Sequence, residues 1–256
     1  MTDNWATDKV ALITGATSGF GAAFARRLLA GGGRVIATGR RVDRLADLAK
    51  ECGSDRLLTH TLDLRQQGAI ATLLSELPPA FQPIDTLFNN AGLALGLTKA
   101  QDADIADWEA MIDTNITGLV RLTQAVLPGM VARNRGDVLN MSSVAASYPY
   151  PGGNVYGASK AFVRQFSLNL RADLLGSAVR VTSVEPGMCE TEFSLVRFKG
   201  DAEAAAKVYA GMQPLSAGDI ALTLESVVRL PAHINVNTIE LMPVQQAFGP
   251  FAVSRN

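Results

Sequence analysis

Short apolar segments of β-strand composition alternate with helical periodicity along almost the whole chain. This alternation is typical of βαβ units, in which crossover helices join parallel strands. Several strand segments are apolar on both faces, as expected of strands that helices cover on each side. We therefore predict an α/β fold with a single domain over residues 1–256, built as a doubly wound, seven-stranded parallel sheet with helices on both faces.

The same periodicity gives approximate bounds for each element. Strands are predicted at 9–14, 34–38, 56–62, 84–88, 137–142, 179–184 and 238–241. Helices are predicted at 19–30, 42–52, 65–77, 105–133, 154–175 and 217–230.

The alternation fails between the sixth predicted strand and the last predicted helix. Residues 185–213 carry mixed charge and no strand pattern, and only the alanine-rich stretch 202–207 suits one short helix. Long connections in compact domains are usually functional lids or disordered segments. We predict a substrate lid over about 186–213.

Composition narrows the classes of function. The net charge of −1 gives no basic surface for nucleic acid or an anionic membrane, so a small-molecule substrate is the expected partner. Two cysteines, Cys52 and Cys189, and two histidines are scattered, so we predict no disulfide and no metal site. Residues 1–8 are polar and acidic, unlike a signal peptide, and no apolar run is long enough to span a bilayer; we expect a cytoplasmic protein.

A glycine-rich turn joins the first predicted strand to the first predicted helix. Its sequence, TGATSGFG at 14–21, lets the chain turn tightly and bring backbone amides and the positive helix end to a pyrophosphate. The GxxxGxG spacing differs from the usual GxGxxG, and such a turn can be purely structural. Its strand–turn–helix context favours a Rossmann-type dinucleotide site formed by Gly15, Thr17, Ser18, Gly19, Phe20 and Gly21.

Two arginines follow the second predicted strand, where an NAD enzyme places an acidic residue for the ribose 2′-hydroxyl. Positive side chains at the start of a helix oppose its macrodipole, so Arg40 and Arg41 need another explanation. A 2′-phosphate supplies one. We predict NADP as the cofactor, with Arg40 as the main contact; the alternative is a solvated basic pair.

Polar or glycine motifs follow the next strands: Asp63, the Asn-Asn-Ala-Gly of 89–92, Ser142-Ser143 and Pro186-Gly187. Ligands of open α/β sheets bind outside the carboxyl ends of the strands, which is the edge these motifs share. Each motif alone could be turn chemistry. Together they predict further cofactor contacts at Asp63, Leu64, Asn89, Ala91, Gly92, Pro186, Gly187 and Thr191, with Asp63 and Asn89 at the adenine and its ribose.

Tyr156 and Lys160 are four residues apart on a predicted helix, and Ser143 precedes them by thirteen residues. Residues at i and i+4 share a helix face, so the ammonium can lie beside the phenol. A nearby positive charge lowers the pKa of a tyrosine, which would make the pair an acid/base device. The alternative is an ordinary amphipathic helix with both residues on one flank.

Taken together, these motifs resemble the short-chain dehydrogenase/reductase family, whose TGxxxGxG, NNAG, Ser, YxxxK and PG pattern runs through nearly the whole chain. The resemblance implies an NAD(P)-dependent alcohol/carbonyl oxidoreductase with Asn115, Ser143, Tyr156 and Lys160 as a catalytic tetrad. In that tetrad Tyr156 exchanges the hydroxyl proton and Ser143 hydrogen-bonds the carbonyl oxygen. Lys160 holds the ribose and lowers the tyrosine pKa, and Asn115 anchors a relay water.

Family members usually assemble through their long helices and C-terminal segment, which implies a homotetramer here. The apolar tail 248–251 would suit a contact with a neighbouring subunit.

A narrower resemblance is to the bacterial NADP-dependent 3-hydroxy acid dehydrogenases, which act on serine, allo-threonine and 3-hydroxypropionate or malonic semialdehyde. Sulfoacetaldehyde reductases are similar. An acidic substrate needs a cationic partner, because burying an unpaired charge is costly. The predicted substrate contacts are Ser143, Tyr150, Tyr156, Arg197 and Lys199.

Several alternatives stay open at this point. Arg197 and Lys199 could instead be exposed, or one could hold the cofactor phosphates. The loop 186–191 looks a residue shorter than in the serine-type relatives, which bears on the substrate more than on the reaction. The enzyme alternatives are an isethionate-forming sulfoacetaldehyde reductase and a broad ketoreductase. An alternative of another class is a non-catalytic NADP sensor, which would have no need of the tetrad.

Overall fold

Seven parallel strands form one sheet in the computed structural model, which describes residues 4–53 and 55–249. The strands are β1 Val10–Ile13, β2 Arg34–Gly39, β3 Leu57–Thr61, β4 Thr86–Asn89, β5 Gly136–Met141, β6 Val179–Pro186 and β7 Thr238–Leu241. Their order is β3-β2-β1-β4-β5-β6-β7, and every neighbouring pair is parallel. The predicted doubly wound, seven-stranded sheet is confirmed.

Helices cover both faces of this sheet. They are α1 Gly19–Ala30, α2 Val42–Cys52, α3 Ala69–Ser75, α4 Ile105–Ile112, α5 Leu119–Ala132, α6 Asn154–Asp173, α7 Glu192–Arg197, α8 Ala202–Lys207 and α9 Ala217–Val228. Successive β1 side chains point to opposite faces. Ile13 packs in a core with α1, α2 and α9, whereas Leu12 packs in a second core with α3, α5 and α6.

The predicted helix at 105–133 is divided. A π-helical turn, Asp113–Gly118, lies between α4 and α5 and contains Asn115. The apolar periodicity continues through the turn, which is why the sequence predicts one helix. The structural reason for the wider turn is local: Asn115 turns inward to bond with a neighbouring loop, and Gly118 lies where a Cβ would approach Leu64 Cβ to 2.6 Å.

Other helix bounds also differ from prediction, and α6 ends at Asp173 instead of Leu175. The helix predicted at 65–77 covers only Ala69–Ser75, because Gly68 adopts φ 81°, a left-handed conformation that precedes the first turn. The last helix ends at Val228 instead of Leu230. Helices α1 and α2 begin and end as predicted.

The chain between β6 and α9, residues 187–216, is called the β6–α9 segment below. It contains two six-residue helices, α7 and α8, which begin at side-chain caps: Thr191 accepts from the Phe193 amide and Asp201 from the Ala204 amide. Cys189 pairs with Leu215 in an isolated parallel bridge, so the segment leaves and rejoins the domain at one place. The short helix expected at 202–207 is present.

The C-terminal tail is only partly described. Phe248 is exposed and its ring lies 4.7 Å from that of Tyr148 in the same chain. Pro250 and Phe251, also part of the predicted subunit contact, lie outside the described residues. Within residues 4–53 and 55–249 no helix has the length and apolarity needed to cross a membrane.

Candidate active site

One cavity of about 700 Å³ opens at the carboxyl ends of the strands. Strand order reverses between β1 and β4, and ligands of open α/β sheets bind at such switch points. Most of the residues predicted for the site line this cavity: Gly15, Thr17, Ser18, Gly19, Phe20, Arg40, Arg41, Asp63, Leu64, Ala91, Gly92, Ser143, Tyr150, Tyr156, Lys160, Pro186, Gly187, Thr191 and Arg197. Four predicted residues do not line it: Gly21, Asn89, Asn115 and Lys199.

The glycine-rich turn has the backbone of an anion site. Gly15 and Gly19 adopt φ values of 65° and 52°, which favour glycine. Ser18 is the N-cap of α1, yet its side chain makes no cap hydrogen bond, so it leaves the first amides of the helix unbonded by the cap. Gly21 lies behind the turn, where an added Cβ would approach the Gly15 carbonyl oxygen to 2.5 Å. Its role is therefore to let the turn pack on α1.

Two arginines at the end of β2 have different surroundings. Arg40 is exposed, and no hydrogen bond or ion pair joins its guanidinium to another residue of the described chain. Arg41 instead donates from Nη1 to Glu192 Oε2 at 2.7 Å and from Nη2 to Ser18 Oγ at 2.9 Å. Arg40 is thus the cation available to a phosphate at this end of the cavity.

Asp63 lines the same end of the cavity. Arg65 donates hydrogen bonds to the Asp63 carboxylate from Nε at 3.0 Å and from Nη2 at 2.7 Å. This hydrogen bonding holds the pKa of Asp63 below its usual value. Asp63 is therefore an ionised acceptor in a fixed orientation.

The Asn89 side chain lies in the core instead. Its Nδ2 donates to Thr123 Oγ1 at 2.9 Å and to Asn140 Oδ1 at 2.8 Å, tying β4 to α5 and β5. The adjacent Asn90 lines the cavity and donates to the carbonyl oxygens of Thr14 and Gly15. This placement does not support the predicted cofactor contact for the side chain of Asn89. Side chains alternate along a strand, and the sequence alone did not say which asparagine faces the ligand.

Ser143, Tyr156 and Lys160 meet at the floor of the cavity. Ser143 follows β5, and its Oγ accepts from the Ala145 amide at 3.1 Å, which fixes the hydroxyl at the start of a 3₁₀ turn. Tyr156 and Lys160 project from α6, and both are buried. Lys160 Nζ donates to the Met141 carbonyl oxygen at 2.8 Å and lies 5.8 Å from the centroid of the Tyr156 ring.

Burial dominates the electrostatics of this pair. Desolvation raises the pKa of Tyr156 to about 12, against smaller opposing effects from the Ser143 hydrogen bond and the Arg197 charge. Desolvation also lowers the pKa of Lys160 to about 8. The prediction that Lys160 lowers the pKa of Tyr156 is wrong for this arrangement, because burial outweighs charge and the opposing positive charge comes from Arg197.

Asn115 lies behind the cavity wall. Its Oδ1 accepts from the Leu93 amide at 2.9 Å, and its Nδ2 donates to the Leu93 carbonyl at 2.9 Å and to Ser159 Oγ at 3.0 Å. A Cβ on Gly92 would lie 3.2 Å from Asn115 Oδ1 and 3.3 Å from Lys160 Nζ. A side chain at position 92 would therefore press on both polar groups.

Arg197 enters the cavity from the β6–α9 segment. Its Nη2 donates to the Tyr150 hydroxyl at 2.7 Å, and its Cζ lies 4.9 Å from the Tyr156 ring centroid and 5.2 Å from that of Phe193. Its Nε is buried and has no hydrogen-bond partner. The Arg197 guanidinium therefore lies against the ring of the buried Tyr156 and has one unused hydrogen-bond donor.

The side chain of Lys199, the other cation predicted to bind substrate, is directed away from the cavity. Its Nζ pairs with Asp107 Oδ2 on α4 at 2.8 Å, and 59% of its side chain is exposed. The structure does not support the predicted substrate contact for Lys199. Gly200 adopts φ 97° and Lys199 φ 52°, so the chain reverses direction just after Arg197.

Comparison with known proteins decides the family. The family model for short chain dehydrogenases matches residues 9–201, which hold the glycine-rich turn, the tetrad and Arg197. The chain belongs to the short-chain dehydrogenase family. The family predicted from the sequence motifs is confirmed.

Three similar proteins show which members of the family this chain resembles. An NADP-dependent 3-hydroxy acid dehydrogenase of Salmonella typhi is 56% identical over 248 residues, covering 96% of this chain and 100% of that protein. Sulfoacetaldehyde reductase 2 of Chromohalobacter salexigens is 54% identical over 250 residues, covering 96% of this chain and 99% of that protein. A structure described as the closed form of serine dehydrogenase complexed with NADP+ is 54% identical, has a TM-score of 0.94, and covers 96% of this chain and 99% of that one.

Some cavity residues of this short-chain dehydrogenase were missed by the sequence interpretation. Most come from the β6–α9 segment or the C-terminal tail: Glu192, Phe193, Tyr209, Met242 and Gln246. Tyr209 donates to the Cys189 carbonyl at 2.7 Å and bonds with Ser194 at 2.7 Å, which pins α7 to the loop after β6. No periodic pattern marks such residues. The acidic Glu192 directly after Thr191 is the one local signal, since it is typical of a helix start.

Across the described residues no group of three or more His, Cys, Asp or Glu side chains could hold a metal ion.

Proposed function

We propose that this short-chain dehydrogenase transfers a hydride between NADP(H) and a small hydroxy acid or the corresponding oxo acid. The substrate class is 3-hydroxy acids such as serine, allo-threonine or 3-hydroxypropionate. The observation that carries the proposal is the Arg197 guanidinium, which lies 4.9 Å from the Tyr156 ring with an unpartnered Nε. The names of the Salmonella and serine dehydrogenase relatives support the same class.

The residues present fit NADP. The glycine-rich turn and the uncapped N-terminus of α1 suit the pyrophosphate, and Arg40, with no partner among the described residues, suits a 2′-phosphate. When bound, the nicotinamide supplies the hydride acceptor or donor. Lys160 lines the cavity beside Tyr156 and would hold the ribose that carries the nicotinamide.

Tyr156 is the proposed donor of the proton to the substrate oxygen. With a pKa near 12 the hydroxyl is protonated at neutral pH, which suits donation to a substrate oxygen. Ser143 is the second donor to that oxygen, and preorganised donors of this kind typically contribute about 2.7–4 kcal/mol each to transition-state stability. Lys160 and Asn115 both lie beside Gly92, and we expect the proton to return to Tyr156 by way of Lys160 and this region.

Arg197 is the proposed partner of the substrate's acid group. Burying an unpaired carboxylate is costly, and the planar guanidinium matches a carboxylate or sulfonate in shape and charge. Lys160, the other cation near Tyr156, is bonded to the Met141 carbonyl and lies deeper in the site. Tyr150 holds the Arg197 guanidinium from the other side.

Steady-state kinetics with 3-hydroxypropionate, L-serine, L-allo-threonine and isethionate test the proposal. Arg197→Ala is expected to raise KM for the acids tenfold or more, about 1.4 kcal/mol, and to leave KM for a neutral alcohol of similar size almost unchanged. Lys199→Ala is the matched control, because its side chain is paired with Asp107 outside the cavity. Equal losses for acid and neutral substrates would contradict the assignment.

A sulfonate substrate is the second candidate. The Chromohalobacter relative favours it, and a guanidinium binds sulfonates as well as carboxylates. A kcat/KM for isethionate above that for every 3-hydroxy acid would show that the protein acts as a sulfoacetaldehyde reductase. Absence of turnover with any small alcohol or carbonyl would instead favour the NADP sensor.

Three further expectations belong to the same proposal. The predicted lid, residues 186–213, overlaps most of the β6–α9 segment and is proposed to cover the substrate in a single domain. Assembly as a homotetramer and a cytoplasmic location stay predictions.

A further inference from the structure

The first turn of α7 touches the glycine-rich turn and the end of β2. Glu192 accepts from Arg41 Nη1 at 2.7 Å, and Arg44 on α2 lies 3.5 Å from its other oxygen. The side chain of Thr191, the cap of α7, lies 3.5 Å from the position of a Cβ on Gly19. The lid helix therefore contacts the cofactor half of the cavity through its N-terminal end.

Arg41 connects the two sides of this contact. Its Nε and Nη2 donate to Thr17 Oγ1 at 3.3 and 3.1 Å, and its Nη2 also reaches Ser18 Oγ. Most of its donors are therefore used within the protein. Arg40, the preceding residue, forms no hydrogen bond or ion pair within the described residues and acts only through its charge on Asp63, so a phosphate can bind there without displacing Glu192.

The C-terminal end of α7 reaches the substrate half. Arg197 is the last residue of the helix, and it contacts the Tyr150 hydroxyl and the Tyr156 ring. Glu192 and Arg197 are the first and last of its six residues, so their backbones are about 7.5 Å apart along the axis at the usual helical rise. One short helix thus spans from the phosphate-binding arginines to the proposed substrate cation.

We propose that Glu192 is a positioning residue that couples the 2′-phosphate of the cofactor to the lid through Arg41. A phosphate on Arg40 immobilises the turn that carries Arg41, and the Arg41–Glu192 pair then holds α7 over the cavity. This inference rests on the proposed NADP binding but does not depend on which substrate is turned over.

Limited trypsin digestion with 2′,5′-ADP tests the coupling without any turnover. This probe carries the 2′-phosphate and fills only the adenosine half, so protection of the lid has to pass through protein contacts. Cleavage after Arg197, Lys199 and Lys207 is followed by mass spectrometry. In the unmodified enzyme, saturating 2′,5′-ADP should slow cleavage at these sites about two- to fivefold, as a partly exposed ion pair allows, and 5′-ADP should not.

Glu192→Gln should remove this protection at saturating 2′,5′-ADP, and Glu192→Asp should restore part of it. Glu190→Gln is the matched control, because Glu190 is exposed, two residues away and outside the cavity lining. Kinetically, Glu192→Gln should raise KM for the acid substrate with NADP while leaving kcat at saturation within about twofold. That split separates positioning from general damage to the fold.

The proposal is overturned if Glu192→Gln keeps full protection, if 5′-ADP protects as well as 2′,5′-ADP, or if 2′,5′-ADP fails to bind. Faster lid cleavage on binding would also overturn it, because the phosphate would then be taking Arg41 from Glu192. Failure of the proposed substrate class appears separately, in the kinetic comparison of acids and neutral alcohols.

Discussion

Desolvation moves the pKa values of two neighbouring side chains in opposite directions, and both shifts suit their proposed roles. Tyr156 keeps its proton, with a pKa near 12, and Lys160 titrates near 8. A buried tyrosine that stays neutral is a hydrogen-bond donor at any physiological pH. A buried lysine near neutrality can exchange a proton with its surroundings. Both shifts fit the proposed donation of a proton from Tyr156 to a substrate oxygen.

Removing the Tyr156 hydroxyl tests its role as proton carrier. Tyr156→Phe should lower kcat by about 10²–10⁴-fold, the usual size of a general acid/base contribution. The affinity for NADPH, measured by calorimetry, should stay nearly unchanged. Lys160→Ala should lower both kcat and the affinity for NADPH, because Lys160 is proposed to hold the ribose as well. A Tyr156→Phe variant with more than a tenth of the original activity would show that another group carries the proton.

Lys160 should also lower the stability of the fold. Its folded pKa of about 8 is below the ordinary 10.5, so the unfolded chain binds more protons between these values, and stability rises as the pH increases through this window. Below pH 8 the penalty is fully present. Lys160→Met should therefore raise the free energy of unfolding at pH 7 by on the order of 1–2 kcal/mol.

Thermal unfolding at pH 7 and pH 10 checks this expectation, since the gain should shrink at the higher pH. Lys207→Met is the control, because Lys207 is exposed and paired only with Glu203. A gain that is independent of pH would mean that packing, not the lost charge, is responsible.

Individual residues also show what the sequence could and could not predict. The spacing of Ser143, Tyr156 and Lys160 predicts that they meet in one cavity, and the structure places them together there. The predicted contacts of Asn89 and Lys199 lack such support, because polar character alone does not say which way a side chain points. The structure binds Asn89 to Asn140 in the core and Lys199 to Asp107 outside the cavity.

Among the elements, the π-helical turn has a specific steric requirement. A methyl group at Gly118 would lie 2.6 Å from Leu64 Cβ, which is too close without movement of the backbone. Gly118→Ala should therefore lower stability by about 1–3 kcal/mol, as overpacking typically does. In a chain of this length that corresponds to a fall in Tm of about 2–4 °C per kcal/mol.

Gly129 supplies a matched control on α5. A Cβ there would meet only the Arg133 Nη1 atom, at 3.2 Å, and that flexible group can move. Gly129→Ala should be neutral or raise stability by up to about 1 kcal/mol, since alanine favours helices. Similar losses in the two variants, measured by thermal unfolding, would mean that Leu64 does not decide the outcome.

The β2–α2 turn should set cofactor preference. Arg40→Asp should lower the preference for NADP over NAD by tenfold or more, because an arginine–phosphate contact is charge-assisted and contributes about 1.5–3 kcal/mol. The ratio of kcat/KM values with the two cofactors measures this. Lys50→Asp makes the same charge change at the far end of α2. Equal kcat/KM for NAD and NADP in the unmodified enzyme would refute the assignment.

Helix prediction succeeded where the periodicity is clear and a glycine follows the last residue, as Gly31 follows α1 and Gly53 follows α2. It failed where tertiary contacts decide the conformation. The π-helical turn depends on bonds from Asn115 to Leu93, and α7 depends on contacts of Tyr209 with Cys189 and Ser194. Such contacts join residues distant in sequence, so no local window of sequence contains them.

At the scale of the molecule, the parallel sheet brings motifs from the ends of six strands, β1 to β6, to one edge and so to one cavity. The order of the strands could be expected from the alternation of elements, because right-handed crossovers leave few topologies. The sequence also predicts a lid at 186–213, but the conformation of the irregular β6–α9 segment could not be predicted, because no periodic pattern runs through it.

The homotetramer is a prediction for the whole molecule. Large apolar side chains are exposed on α4 and α6, including Ile105 at 63% and Phe162 at 40%, as expected of a surface that packs against another subunit. Light scattering coupled to gel filtration should give the mass of four 27.1 kDa chains. Phe162→Glu should reduce that mass, whereas Leu175→Glu, at an exposed position just after α6, should not. A single-chain mass for the unmodified protein would contradict the prediction.

Because both ends of α7 make specific contacts, its six-residue length restricts where residues can be inserted or deleted. Inserting or deleting one residue inside it would rotate Arg197 by about 100° relative to Glu192, so one end would lose its contact. Gly200 and Gly211 flank the α8 region and have open space around them. Natural variation in lid length should therefore accumulate after Lys199, and a designer who wants a larger substrate pocket should lengthen the chain there.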